Sequence, residues 1–241
     1  MNLENINSSI EKSSNVSKVN FNTKTFSDFS SNEAFKTLRT NLLFCGTDNK
    51  VILISSANPN EGKSTISAEL SKSLAEINKK VLLIDADLRK SVMITNKTVR
   101  NSVIGLSEYL SDQASLQEVM YQTQMENFNV IFSGAFPPNP VELLSTDKFK
   151  DLINDLKNKY DYIIIDTPPI NYVIDAAIIA TVCNSAILVL SKDKTKTSDA
   201  IKAKEQLEKS KCKVLGAILN QTSPKGDLYH KYYYTSKKYG K

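Results

Sequence analysis

Ala57-Asn58-Pro59-Asn60-Glu61-Gly62-Lys63-Ser64-Thr65 decides the reading of this chain. It follows an apolar run, Val51–Ser55, and leads into a helical pattern from about Ile66 to Ile77. Strand, then Gly-Lys-Ser/Thr loop, then helix is the context a phosphate-binding loop requires. Backbone N–H groups at such a loop point one way and carry the positive end of the helix dipole, so they hold polyphosphate. That gives Asn60, Glu61, Gly62, Lys63, Ser64 and Thr65 as the nucleotide-binding set. Lys63 can reach the β/γ-phosphates, and the Ser64 hydroxyl can ligate Mg²⁺. Ala57 stands where the G-x-x-x-x-G-K-[ST] pattern has its first glycine. A bare Gly-Lys-Ser also occurs in ordinary turns; here the flanking strand and helix favour nucleotide binding.

Two further acidic sites turn a nucleotide site into a candidate enzyme. Val81-Leu82-Leu83-Ile84-Asp85 reads as a buried parallel strand ending in a carboxylate, at the sheet edge where α/β folds bind ligands. Val51 to Asp85 spans 35 residues, a comfortable size for one βαβ unit. Tyr162-Ile163-Ile164-Ile165-Asp166 repeats the pattern, with Asp166 in the Walker B position. An Asp at a strand end often only caps a turn. Two of them behind a phosphate loop instead favour Mg²⁺, because hard divalent ions need oxygen ligands near the phosphates. In the pair Asp85-x-Asp87, one carboxylate can orient the metal's water shell, and the other can take a proton from an incoming hydroxyl.

These residues carry a family resemblance. Ala57–Thr65, Val81–Arg89 and Ile163–Pro169 resemble the Walker A, A′ and B motifs of the bacterial tyrosine kinases, P-loop kinases of capsule and exopolysaccharide production. Glu33-Ala34-Phe35-Lys36-Thr37-Leu38-Arg39 resembles the family's N-terminal helix motif, ExxRxxR, with Lys36 in place of the middle arginine. Ser133–Leu144 is similar to its central loop. Tyr229, Tyr232, Tyr233, Tyr234 and Tyr239 look like its C-terminal tyrosine cluster. Together these cover roughly residues 33–241.

The resemblance implies an ATP- and Mg²⁺-dependent protein-tyrosine kinase that phosphorylates its own tyrosine cluster, in trans. It implies catalytic roles for Lys63, Asp85 and Asp87, and metal binding by Ser64, Asp85 and Asp166. The division of roles between Asp85 and Asp87 stays open. It also implies ring-like self-association through Glu33, Lys36 and Arg39, although a solvated helix face would show the same spacing. A membrane adaptor of polysaccharide export is the implied activator, holding the kinase at the inner face of the membrane. Arg89 could pair with the acidic doublet, contact phosphate or simply face solvent. Asn220, ending Val214–Leu219, stands where related folds read the base, though a turn-forming Asn fits there too.

Composition agrees. At 241 residues the chain is ample for one α/β domain. Its 41% hydrophobic and 24% charged content is ordinary for a globular protein. No apolar run approaches the ~20 residues of a spanning helix. The first residues lack a basic and an apolar signal region. Cys45, Cys183 and Cys212 show no CxxC spacing and read as reduced cytosolic thiols, with Cys183 in the core. A single histidine, His230, excludes multi-histidine metal sites.

The expected organisation is a mobile leader or extended arm over 1–30, a kinase domain over 31–224, and a flexible tyrosine-rich tail over 225–241. Glu33–Phe44 reads as a helix with Asn32 as its N-cap. Strands are predicted near 51–55, 81–85, 128–132, 162–166, 185–190 and 213–219. Helices are predicted near 64–77, 115–122, 146–159, 174–182 and 197–210, with a short turn at Val141–Leu144 opened by Pro140. This alternation gives a doubly wound, mainly parallel α/β sheet.

The tail holds five of the ten tyrosines, and its five lysines against one aspartate give +4. Consecutive Tyr232-Tyr233-Tyr234 fit no single buried face. A basic aromatic tail could adhere to anionic lipid or nucleic acid; beside a kinase site it reads better as substrate. Five phosphates would add roughly −8 to −10 charges and invert it. Rival readings are a partitioning or positioning ATPase switch, and an assembly protein whose nucleotide site controls oligomerisation. The first carries a signature lysine where this chain has Asn58. Nucleic-acid binding is not expected, since most of the +5 net charge lies in the tail.

Overall fold

The computed structural model describes residues 6–7, 10–13, 16–19, 22–23, 29–93 and 103–222. The tail tyrosines Tyr229, Tyr232, Tyr233, Tyr234 and Tyr239 lie outside these described residues. Eleven strands and eight helices occur among them.

Four strands carry the centre of the sheet: β5 (Val51–Ser56), β6 (Val81–Asp85), β9 (Tyr162–Asp166) and β10 (Ser185–Ser191). Their Val, Ile and Leu runs are buried on both faces, the signature of parallel strands covered by helices on each side. Outer strands are β11 (Lys213–Asn220), β8 (Phe128–Ile131) and β7 (Met120–Gln122). Within 1–30 the chain supplies β1 (Ile6–Asn7), β2 (Ile10–Ser13), β3 (Val16–Val19) and β4 (Asn22–Thr23), and the Val19 side chain is buried. The main sheet has nine strands in the order β11-β10-β5-β9-β6-β8-β7-β3-β2, while β1 and β4 pair separately. From β11 to β8 every pairing is parallel; β7 runs antiparallel to β8. The doubly wound α/β architecture is therefore as the alternation implies.

Alternation along each strand divides the core into two layers. Val51 and Leu53 pack with Leu82, Ile163 and Ile165, and Ile52 and Ile54 with Leu70, Leu83 and Ile164. Helix α2 (Lys63–Ala75) lies in the second layer beneath α1 (Phe29–Phe44). Helices α3 (Leu106–Leu110), α4 (Leu116–Val119), α5 (Pro140–Leu144), α6 (Asp147–Lys157), α7 (Asp175–Ala180) and α8 (Thr197–Lys209) follow among the described residues. In α6, Phe149, Leu152, Ile153 and Leu156 make one buried stripe, and the Thr146 hydroxyl caps the first turn by accepting from Phe149 N at 3.4 Å.

Three local expectations are corrected. Helix α1 begins at Phe29, so Asn32 is inside its first turn and is not the cap. The predicted helix 115–122 is only α4; Met120 onward leaves it to pair with β8, Met120 against Ile131. Ladder pairing of a short apolar run outweighs its helical spacing there. Helix α3 was not expected; its start is set by Glu108, whose carboxylate accepts from Gly105 N at 2.7 Å. Pro140 does open α5, with Asn139 as the cap residue.

Arg39 belongs to the fold. Its Nη1 donates to the Ser73 carbonyl at 2.7 Å and to Ser73 Oγ at 3.2 Å, pinning α1 onto α2. Removing a charged donor from such bonds costs about 1.5–3 kcal/mol. Arg39→Ala should therefore lower the urea midpoint by that amount of stability, and an unchanged midpoint would show that α1 docks without this contact.

Candidate active site

Register brings the acids together. In the β6–β9 ladder Asp85 is paired with Asp166, so the last residues of two adjacent parallel strands present carboxylates at one edge. β5 lies on the other side of β9, and the loop it feeds arches over that edge. Asn60 takes a left-handed backbone (φ 62°), as does Gly62 (φ 88°). That φ disfavours any side chain at Gly62, and a Cβ there would also displace the Asn220 amide. Helix α2 then begins. Its first intrahelical bond runs from Ile66 N to Gly62 O at 3.0 Å, so the N–H groups of Lys63, Ser64 and Thr65 precede the ladder.

Above this edge lies a cleft of about 590 Å³ lined by Asn60, Gly62, Lys63, Ser64, Thr65 and Asp87. Lys63 Nζ is 3.2 Å from Asp87 Oδ2, 3.8 Å from Asp166 Oδ2 and 3.1 Å from Ser64 Oγ. Asp85 and Asp166 form the buried floor, and Asp87 reaches the cleft itself. The backbone holds Asp87: its Oδ1 accepts from Lys90 N at 2.9 Å and Arg89 N at 3.3 Å.

Charge is unbalanced here, with three carboxylates around one ammonium. Burial disfavours the Lys63 ammonium, but Asp166, Asp87 and Asp85 outweigh it and raise its pKa. Burial, reinforced by Asp166 and Asp87 against the Ser91 hydrogen bond and Lys63, pushes Asp85 up to about 7. Burial also raises Asp166, against the pull of Lys63, Ser64 and Ser67. Ser67 Oγ donates to Asp166 Oδ1 at 3.0 Å, while Asp166 Oδ2 is buried with no hydrogen-bond partner. That oxygen, which faces the Lys63 ammonium at 3.8 Å without a hydrogen bond, is the start of a hard-cation site with Ser64. No group of three or more His, Cys, Asp or Glu able to hold a metal ion occurs among the described residues. A cation here must take its other ligands from phosphate and water.

The remaining expected residues fall as follows. The Glu61 side chain turns back into the loop, accepting from Asn58 N at 2.9 Å, from Asn58 Nδ2 at 3.1 Å and from Thr195 Oγ1. Asn220 Nδ2 donates to the Glu61 carbonyl at 2.9 Å, bracing the loop from the end of β11. Arg89 is exposed and lines the cleft, and its Nε donates to both oxygens of Asp175, at 2.8 and 3.1 Å. Glu33 and Lys36 pair with each other at 2.6 Å on the α1 surface, and Arg39 faces α2. Sequence reading missed Asp175, Thr195 and Gln221, whose Nε2 donates to the Asn60 carbonyl at 3.0 Å. Gln221 was the most accessible of these, since it directly follows the strand-end Asn220.

A phosphate loop, a strand-end acid from each of two neighbouring strands and a lysine between them define a P-loop nucleotide-binding protein. Residues 49–214 match the AAA domain family. The chain is 47% identical over 191 residues to the tyrosine-protein kinase CpsD of Streptococcus agalactiae serotype Ia, covering 79% of this chain and 82% of that one. It superposes on the kinase domain of Escherichia coli tyrosine kinase ETK with TM-score 0.77 and 36% identity, over 82% of this chain and 78% of that one. The septum site-determining protein MinD of Pyrococcus horikoshii, complexed with Mg-ADP, is more distant: TM-score 0.61 and 31% identity, over 73% of this chain and 72% of that one. The chain belongs to the bacterial tyrosine-protein kinase family.

The raised carboxyl at Asp85 has a signed consequence. Its folded pKa of about 7 lies above the ordinary 3.8, so folding favours its protonated form. That contribution is complete below about 3.8 and is lost as pH rises through about 7. Metal- and nucleotide-free protein should therefore lose stability from Asp85 across that window. In melting curves with EDTA, Asp85→Asn should show a flatter decline than the parent; parallel slopes would show that Asp85 titrates normally.

Proposed function

We propose that this chain is an ATP-dependent protein-tyrosine kinase that phosphorylates Tyr229, Tyr232, Tyr233, Tyr234 and Tyr239 of a neighbouring copy, acting in capsule or exopolysaccharide synthesis and export. The observation that carries this reading is Asp87, a carboxylate lining the cleft 3.2 Å from the P-loop lysine, above Asp85 and Asp166. A nucleotide switch needs a metal acid and a phosphate loop; a kinase also needs a base at the lip for the acceptor hydroxyl.

In this reading the N–H groups of Lys63, Ser64 and Thr65 hold the ATP phosphates, and Lys63 leaves the acids to neutralise the terminal ones. Ser64 and Asp166, with Asp85 behind them, are the residues that would hold Mg²⁺, which supplies charge neutralisation on the phosphates. Asn220 and Gln221 keep the loop shaped on the side where the base lies. Asp87 takes the phenol proton while the tyrosine oxygen bonds to the γ-phosphorus and the bond to ADP breaks. Water orientation then falls to Asp85. The positioning-ATPase reading has the MinD likeness in its favour, but Asn58 stands at its signature lysine and spends its amide on Glu61.

Regulation is proposed to come from outside the fold. Among the described residues no helix is long and apolar enough to cross a membrane. We place the chain in the cytoplasm, at the inner face of the membrane, through an adaptor of polysaccharide export. Self-association through the α1 face would use Glu33 and Lys36, with Arg39 supporting the helix from behind.

Incubation with Mg-ATP and an adaptor peptide, followed by phosphotyrosine mapping, tests the activity. Label should appear in 225–241 and vanish in Lys63→Met. ATP hydrolysis that never labels the tail would return the chain to the switch reading.

A further inference from the structure

Beside the phosphate loop and the Asp87 turn, a third segment lines the cleft, and its part beyond Pro169 has no role in the nucleotide chemistry described above. It is the connection from β9 to α7, Thr167-Pro168-Pro169-Ile170-Asn171-Tyr172-Val173-Ile174. It exposes two large apolar side chains, Tyr172 at 64% and Ile174 at 61%. Looseness does not explain that exposure. Thr167 N donates to Ile54 O at 3.1 Å, Ile170 N to Ser56 O at 3.0 Å and Tyr172 N to Pro169 O at 3.1 Å. Asn171 Nδ2 donates to the Asp199 carbonyl at 2.9 Å. A turn anchored to β5 and α8 therefore presents an aromatic ring to solvent in a fixed place.

That place is the cleft. Pro168, Pro169, Tyr172 and Val173 line it together with Lys63 and Asp87. The turn leaves β9 over the end of β5, and Arg89, two residues past Asp87, pairs with Asp175 just beyond it, so the Asp87 turn is tied to the segment that carries Tyr172. Lys194 and Gln221 line the same cleft. With phosphates over the start of α2, the apolar wall of Pro168, Pro169, Tyr172 and Val173 is left for the second substrate. The described chain ends at Thr222, one residue past the cleft-lining Gln221, and every tail tyrosine lies beyond it.

We propose that Tyr172, flanked by Val173 and the Pro168-Pro169 edge, is the acceptor platform: it packs against the ring of the incoming tyrosine and points its hydroxyl at Asp87. This rests on the kinase reading above. It also gives the site its residue preference. A phenol spans from an apolar wall to the carboxylate, whereas a serine or threonine hydroxyl on a short stem touches the carboxylate only by giving up the wall. Aromatic rings favour offset or edge contacts with each other, and proline rings offer a flat apolar face.

The test uses a synthetic peptide of residues 225–241 as acceptor, with the full chain as wild type, Tyr172→Ala and Tyr172→Phe. Loss of the ring should raise the peptide KM roughly five- to tenfold with kcat nearly kept, while Tyr172→Phe keeps the wild-type KM. The KM for ATP should move in neither. An unchanged peptide KM in Tyr172→Ala overturns the platform, as does an ATP KM that rises in parallel, or a Phe variant that behaves like Ala. If wild type hydrolyses ATP but labels no peptide, the kinase reading itself falls, and the platform with it.

Discussion

Three carboxylates share one ammonium beneath the phosphate loop, and much of the structure serves to keep them there. Asp85 and Asp166 end neighbouring parallel strands in register, Asp87 follows two residues later, and Lys63 opens the helix above them. Burial strips these carboxylates of water and like charges nearby add to that penalty, and the raised pKa of Asp85 and of Asp166 records the cost. The surrounding fold tolerates it because the central strands are held by hydrogen bonds on both sides and by apolar layers on both faces. A buried cluster with excess negative charge is poised for a cation that arrives with its ligand.

The loop above that cluster is shaped from a distance. Glu61 closes it internally on Asn58, while Asn220 and Gln221 grip its carbonyls from the far end of β11. Thr195, ahead of α8, ties to the same Glu61 carboxylate. The phosphate loop is thus preorganised by the strand that leads into the tail. Nucleotide occupancy and the exit of the tyrosine-bearing segment share one set of hydrogen bonds, a physical route by which one could report on the other.

What could be read from the sequence was what local pattern encodes. Buried β-branched runs marked β5, β6, β9 and β10 to within a residue or two, and the loop and its acids were visible as short motifs. The pieces that escaped depend on distant neighbours. β7 is a strand because β8 and β3 pair with it on either side, and no spacing in Met120–Gln122 announces that. Arg89 finds Asp175 across 86 residues, and Arg39 finds Ser73 across 34, so neither partner is visible in the local pattern that suggests a doublet, phosphate or surface role for one and an interface for the other. Asn220 was read as a base contact or a turn residue because its acceptor, the Glu61 carbonyl, comes near only when β11 takes its place beside β10.

The central claim is that this acidic cluster is completed by Mg²⁺ and nucleotide together. Melting temperature measured with ATP alone, Mg²⁺ alone and both tests it most directly. The account predicts that Mg²⁺ with ATP stabilises the protein by more than the two separate shifts combined, and that Asp166→Asn removes this excess. Equal stabilisation by ATP with and without EDTA would contradict it.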